Sequence, residues 1–274
     1  MIDLSNKDKY KIEVKSSKGN QPKWKIGDFY YKQDYLGYEG LVEYAISQLL
    51  KKTNLKKDEF VEYNTEIIQN GNYIRNGCIS KNFLQEGQSL VTLYKLYRNN
   101  YQRIINQDVF KIENLKERVR YIENRVYDLA DIKDFGKYLC KIIEIDAFFL
   151  NEDRHFNNIA LIYENDKYKL CPIFDNGSSL LSDTTLEYQM DKDVYKLIDN
   201  VKPKTFTFNF YEQLETIESL YGQQLEFYFT KKDIEEILNN EPYYKQEDKE
   251  RIKTILFEQM RKYNYLFKNN HYIM

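Results

Sequence analysis

Asn151-Glu152-Asp153-Arg154-His155-Phe156-Asn157-Asn158, followed by two apolar segments that close on Ile173-Phe174-Asp175, is the stretch on which the fold of this chain turns. An acid, an asparagine five positions on and a second acid beyond a short hairpin is the arrangement by which kinases orient an acceptor hydroxyl and hold magnesium against ATP phosphates. Phosphoryl transfer asks little covalent work of a protein. One carboxylate must orient the attacking hydroxyl and accept its proton, and hard oxygen ligands must hold Mg2+ across the phosphates. Asp153 fits the first role. Asn158 and Asp175 offer one neutral and one charged oxygen, a pair suited to a small cation that keeps several waters. Between them, the runs 159–163 and 168–173 read as strands about a polar Glu164-Asn165-Asp166-Lys167 turn. A hairpin brings the residue before its first strand close to the residue after its second, so Asn158 and Asp175 are expected at one ion. An acid and an asparagine five apart also recur in polar loops that do no chemistry. The hairpin, the terminal acid and the small Asn176-Gly177-Ser178-Ser179 turn supply the specificity. His155, one of 2 histidines in the chain, reads as a hydrogen-bonded structural residue.

Upstream, the run 28–35 is aromatic and β-prone and carries Lys32 inside it. Lysine in such a strand is ordinarily a solvated edge residue. The segment that follows, 38–52, places Leu41, Val42, Ala45, Ile46, Leu49 and Leu50 at the spacing of an amphipathic helix. A strand lysine followed by a helix bearing a glutamate is how kinases build the ion pair that sets lysine on the ATP phosphates. Lys32 is expected to pair with Glu43, with Glu39 as the second candidate.

The segments 153–158 and 172–180 together resemble the catalytic and metal-binding segments of HipA-like serine/threonine kinases, particularly short stand-alone members related to the HipA C-terminal region. The DRHxxN pattern is also similar to that of phosphatidylinositol 3- and 4-kinases. The run Ser16-Ser17-Lys18-Gly19-Asn20-Gln21-Pro22-Lys23 resembles the HipA-like phosphate loop, which implies nucleotide contacts from Gly19, Gln21 and Lys23. That resemblance also marks Ser16, or failing it Ser17, as an autophosphorylation candidate. Lys18 departs from the small residue more common beside the loop glycine, and read without the resemblance the run is a solvated turn. Glu43-Tyr44 matches the glutamate and aromatic residue that open the corresponding family helix. The same resemblance implies adenine contacts from the hinge around Ser80, Asn82 and Phe83, ATP and Mg2+ as cofactors, and a protein substrate. Some HipA-like kinases are toxins that act on aminoacyl-tRNA synthetases or other translation components. The resemblance to short members implies an antitoxin or accessory partner in place of the extra N-terminal domain of full-length relatives, which this chain is expected to lack.

With 274 residues the chain is long enough for one two-lobed unit with a substantial core. The expected fold class is α+β, protein-kinase-like, with a β-rich N lobe over 1–84 and a mostly helical C lobe over 85–274. The helical pattern is expected from Gln88, with Leu90-Val91-Leu93-Tyr94-Leu96-Tyr97 at its start, then over 115–129, 135–150, 194–198, 209–221, 231–239 and 246–267. A net charge of -2 provides no broad basic field, so nucleic acid is not an expected partner. Cys78, Cys140 and Cys171 form no paired framework and no CxxC, which suits a reducing cytoplasm. No early apolar run is long enough for a signal peptide or membrane span. Two other classes stay open: a lipid or small-molecule kinase using the same loop, for which the basic pairs Lys51-Lys52 and Lys56-Lys57 are modest support, and a non-catalytic nucleotide-binding protein.

Overall fold

Alternation along the first strands sorts their side chains onto two faces, and each face has its own task. The computed structural model describes residues 1–8 and 21–268. Within these, β1 (Ile2–Asp3), β2 (Lys23–Ile26), β3 (Phe29–Gln33), β4 (Tyr63–Asn70) and β5 (Tyr73–Lys81) form one sheet in the order β1-β4-β5-β3-β2. It is antiparallel except where β1 runs parallel to β4. Trp24, Tyr31, Ile68 and Leu4 bury together in a small core of their own. Because side chains alternate with a period of two, Lys32 turns away from that core. It lies opposite Cys78 of β5, which is buried with Val61 and Tyr63.

Helix α1 (Glu39–Leu50) packs against β4 and β5 with its apolar stripe inward. The approach is close enough to exclude side chains. A Cβ on Gly40 would lie 2.5 Å from the Gly77 carbonyl carbon, and one on Gly77 would lie 2.1 Å from the Lys32 carbonyl oxygen. These two glycines let the start of the helix rest on the sheet backbone, which sets Glu43, one turn further along, beside Lys32.

Ser89–Thr92, expected as the start of a helix, is a strand, β6, and the helix α2 (Leu93–Tyr101) begins only afterwards. The apolar Leu90-Val91 pair merges with the helical pattern in sequence. In space Thr92 caps α2 by accepting from the Lys95 amide, while Leu90 and Val91 pair with β7 (Ala160–Glu164). With β8 (Lys167–Leu170) this makes a three-stranded antiparallel sheet, β6-β7-β8. The β7–β8 hairpin is the expected one. Asn165 and Asp166 turn it with φ of 48° and 60°, the left-handed pair of a type I′ turn that Asn and Asp tolerate best.

The remaining helices are α3 (Ile105–Phe110), α4 (Leu115–Ala130), α5 (Phe135–Phe149), α6 (Val194–Asn200), α7 (Phe210–Tyr221), α8 (Lys231–Asn240) and α9 (Gln246–Lys262). The pattern over 246–267 predicted one continuous helix, but α9 stops at Lys262 and a 3-10 turn, Asn264–Leu266, follows. α5 is apolar on nearly every face because α4, α7 and α9 all pack on it. Phe148 and Phe149 meet edge to face at 4.8 Å at its end, and the Phe227 ring lies tilted 4.5 Å from Phe148. Truncating such a ring to alanine costs about 3–5 kcal/mol. The main hydrophobic core runs without a break from Leu41, Val42 and Ile46 of α1 to α5, α7 and α9. The chain is therefore α+β, with a strand-rich first part and a mostly helical second part that share α1. Among the described residues no helix is long and apolar enough to cross a membrane, and Cys78, Cys140 and Cys171 are buried and unpaired.

Candidate active site

Lys32 is the hub of a charged cluster between the two sheets. Its Nζ lies 2.5 Å from Glu43 Oε1 and 2.7 Å from Asp175 Oδ1, and Lys23 Nζ lies 3.5 Å from Asp175 Oδ2. The other Glu43 oxygen accepts the Asn176 backbone N–H at 2.9 Å, so one buried glutamate holds both the strand lysine and the residue after Asp175. Burial opposes charge on Lys32, but the Asp175 and Glu43 carboxylates outweigh it and hold the ammonium well above its ordinary value. Burial would likewise raise Asp175. Lys23, Lys32 and Arg154 outweigh it and hold that carboxyl well below the usual range. Tyr63 closes one side, its ring 5.0 Å from Lys32 Nζ and its hydroxyl accepting the Asp175 N–H at 3.4 Å. Glu39, the second candidate for the lysine, does something else. Its carboxylate accepts the N–H groups of Leu36 at 2.7 Å and Gly37 at 3.0 Å, clamping the turn into α1.

The loop bearing Asp153 is shaped by how α5 ends. Leu150 takes a left-handed φ of 58°, and the Asn151 N–H reaches back to the Asp146 carbonyl at 2.8 Å. Asn151 Oδ1 then accepts the Asp153 N–H at 3.1 Å. The buried Glu152 accepts from the Tyr188 hydroxyl at 2.9 Å. Asp153 is buried at the floor of the loop, with His155 Nε2 at 3.8 Å and Lys204 Nζ at 3.9 Å from its carboxylate. Asn158 donates its amide nitrogen to the Asp153 carbonyl at 3.1 Å, which leaves its oxygen as the group that can meet a cation. Asp175 sits at a left-handed φ of 60°, a sparsely populated region for a non-glycine residue and one that concentrates at functional sites.

Arg154 joins these parts. It is 1 % exposed and forks onto Asp146 with Nε at 3.0 and 3.1 Å from the two carboxylate oxygens. Its remaining donors reach the carbonyls of Asn158 at 3.2 Å and Phe174 at 2.6 Å, and Asn176 Oδ1 at 2.6 Å. One guanidinium thus fixes the backbone of Asn158 and that of the residue before Asp175 to the same core helix. Burial lifts the Asp146 carboxyl above its ordinary value, with the Arg154 pair opposing it.

Ser80, Asn82 and Phe83, expected at a hinge, lie along and just beyond β5. Ser80 is buried in the strand, paired with Tyr30 and Tyr63. Asn82 donates its backbone N–H to Asp28 at 2.7 Å and uses its side chain to hold Leu84. Phe83 faces Phe174 at 6.2 Å and packs against both the Val61, Tyr63, Cys78 group and the Ala160, Ile162, Cys171 group. It spans the junction of the two sheets. Gln21 and Lys23 are described, with Gln21 Nε2 buried and lacking a hydrogen-bond partner among the described residues. Ser16, Ser17 and Gly19 lie outside the described residues. His155, expected as a hydrogen-bonded structural residue, has no hydrogen-bond partner at either ring nitrogen among the described residues and places Nε2 3.8 Å from the Asp153 carboxylate.

Sequence reasoning missed Arg154 as an organiser and Lys204 altogether. The signal for the first was present, since Asp146 is an acid inside the otherwise apolar Ile145–Phe149 run and demands a buried cation. Lys204 is fifty-one positions from Asp153 and carries no signal. Among the described residues no cluster of three or more His, Cys, Asp or Glu could hold a metal. The Asn158 and Asp175 pair is of the kind that completes a magnesium shell with phosphate oxygens and water instead.

No family model matches the chain, and no curated protein does. Among solved structures, the proinflammatory kinase CtkA of Helicobacter pylori matches with a TM-score of 0.65 at 18% identity, over 97% of this chain and 96% of that one. The chain has that kinase's fold. HipA of the Shewanella oneidensis toxin–antitoxin system, solved with HipB and operator DNA, aligns with a TM-score of 0.47 at 13% identity, over 93% of this chain and 67% of that one.

Proposed function

We propose that this chain is an ATP-dependent kinase of the HipA-like type that phosphorylates serine or threonine hydroxyls of a protein. The observation that carries the reading is the buried Lys32 ammonium held between Glu43 and Asp175, with Arg154 tying Asp175 to the Asp153 loop. A cation poised between two carboxylates on a fold shared with a kinase suits one job, receiving the phosphates of a nucleotide. The residues fit magnesium-ATP: Asp175 is held ionised by its cationic neighbours, and the Asn158 amide is oriented by its bond to the Asp153 carbonyl. When bound, magnesium-ATP supplies the phosphoryl group and the cation that shields its charge. Glu43 would keep Lys32 extended toward the phosphates, Asn158 and Asp175 would hold the cation, and Asp153 would orient the acceptor hydroxyl and take its proton. Phe83 and the hinge backbone would border the adenine.

Finer features rest on the motif resemblance: autophosphorylation at Ser16 or Ser17, an antitoxin or accessory partner, a translation component as substrate, and residence in the cytoplasm, which three buried unpaired thiols suit. The test is incubation with γ-labelled ATP and Mg2+ in a cell lysate, followed by mass spectrometry of labelled proteins including this one. Label on serine or threonine supports the proposal. Label confined to lipid or small molecules would replace it with the other acceptor class.

A further inference from the structure

Lys204 comes to Asp153 from outside every motif of the site, on the segment between α6 and α7. That segment is firmly held. Thr205 Oγ1 donates to the Arg154 carbonyl at 2.7 Å in a buried bond, and Phe206 is fully buried with its ring 5.9 Å from Phe156 of the Asp153 loop. The Phe206 carbonyl accepts from Arg118 at 2.6 Å, and its N–H donates to Gln213 at 3.0 Å. The backbone immediately after Lys204 is thus held against the Asp153 loop, and the ammonium sits 3.9 Å from Asp153 Oδ1 with 37% of the side chain exposed. That is an ion-pair distance rather than a hydrogen-bond distance.

Given the kinase reading above, we propose that Lys204 is a catalytic residue that contacts the transferring phosphoryl group at the acceptor end of the site. A base must lie within hydrogen-bond reach of the proton it takes, and the acceptor oxygen must approach phosphorus to about 3–3.5 Å. A cation 3.9 Å from the base carboxylate is therefore within side-chain reach of the phosphoryl oxygens. Lys32 is held at the other end by Glu43 and Asp175. In the step, the acceptor oxygen forms its bond to the γ-phosphorus as the bond from that phosphorus to the β–γ bridging oxygen breaks. ADP leaves with the electron pair, and the acceptor proton passes to Asp153. Lys204 would meet the phosphoryl oxygens while they move from the nucleotide to the acceptor, an electrostatic contribution realised during transfer rather than in ATP binding.

The test compares wild type, Lys204→Met, Lys204→Arg and the exposed neighbour Lys202→Met, using γ-labelled ATP with Mg2+ and reading label on the chain itself and on dephosphorylated casein. Lys204→Met is expected to lose roughly 10²-fold in kcat, the scale of removing one stabilising group, with KM for ATP and the Mg2+-ATP melting shift unchanged. Lys204→Arg should recover most of the loss, and Lys202→Met should match wild type. Wild-type kcat in Lys204→Met overturns the inference and leaves the kinase reading intact. So does a raised KM at constant kcat, or a lowered melting temperature that arginine does not rescue, since those describe a nucleotide-binding or structural lysine. Absence of Mg2+-dependent transfer in the wild type removes the kinase reading and this inference together.

Discussion

Replacing Arg154 by lysine keeps the charge that Asp146 requires and removes the fork. The guanidinium satisfies Asp146, the carbonyls of Asn158 and Phe174, and Asn176 Oδ1, all from a fully buried position. A lysine ammonium has three tetrahedral donors on a single nitrogen and cannot serve acceptors spread around a guanidinium plane. Keeping the ion pair with Asp146, it would leave about two acceptors unsatisfied, at about 1.5 kcal/mol for each hydrogen bond to a charged group. The expected loss is about 3 kcal/mol, visible as a urea midpoint lower by about 1 M for a slope near 3 kcal/mol/M. The function should fall further than the stability. Freed from their common anchor, Asn158 and Asp175 would no longer be held in register, so the melting shift on adding Mg2+-ATP should shrink in protein that is still folded. A loss below about 1 kcal/mol with the full nucleotide shift retained would refute the view that this arginine organises the site.

Asp175→Ala should abolish the Mg2+-dependent part of the stabilisation by ATP, which for wild type at a hundredfold excess over Kd amounts to about 2.7 kcal/mol, as read by thermal melting with and without Mg2+. Since its cationic neighbours lower its folded value from 3.8, Asp175 contributes stability that is present above that pH and lost as the pH falls below it. The variant should therefore show a weaker acid destabilisation than wild type. Glu144 works with the opposite sign. Burial pushes its carboxyl from 4.5 to about 8, and one oxygen accepts the Gln224 N–H at 2.8 Å. The folded state then binds more protons than the unfolded one between those values, so stability falls as pH rises across that window. Glu144→Gln should gain on wild type by up to about 1.4 kcal/mol per pH unit, and urea titrations at pH 5 and pH 8 that differ by the same amount in both proteins would refute it.

The hairpin between Asn158 and Asp175 was legible because its signals are local: two short apolar segments, an Asn-Asp turn and an acid at its end. Lys32 and Glu43 were legible for the same reason, as an aromatic β-prone run and an amphipathic helix follow one another between Phe29 and Leu50. β6 was not, because Leu90 and Val91 continue the helical spacing and only pairing with β7 makes them a strand. The end of α9 at Lys262 was hidden by charged and apolar residues that would suit another helical turn. The placement of Lys204 depends on Phe206 and Thr205 docking against the Asp153 loop, a tertiary fact with no trace in its own neighbourhood. Arg154 lay in between, since the acid inside α5 called for a buried cation and left open which one.

In the proposed kinase, Asp153 takes the acceptor proton while Lys32, Asn158 and Asp175 serve the nucleotide. The most direct measurement is γ-phosphate transfer and ATP binding side by side in Asp153→Ala and wild type, with Mg2+ present and folding verified by melting. Loss of a general base costs about 10²–10⁴-fold in rate, so transfer should fall by that factor while the Mg2+-ATP melting shift is preserved. Near-normal transfer by a folded Asp153→Ala protein, or loss of nucleotide binding equal to the loss of transfer, would rule out Asp153 as the base.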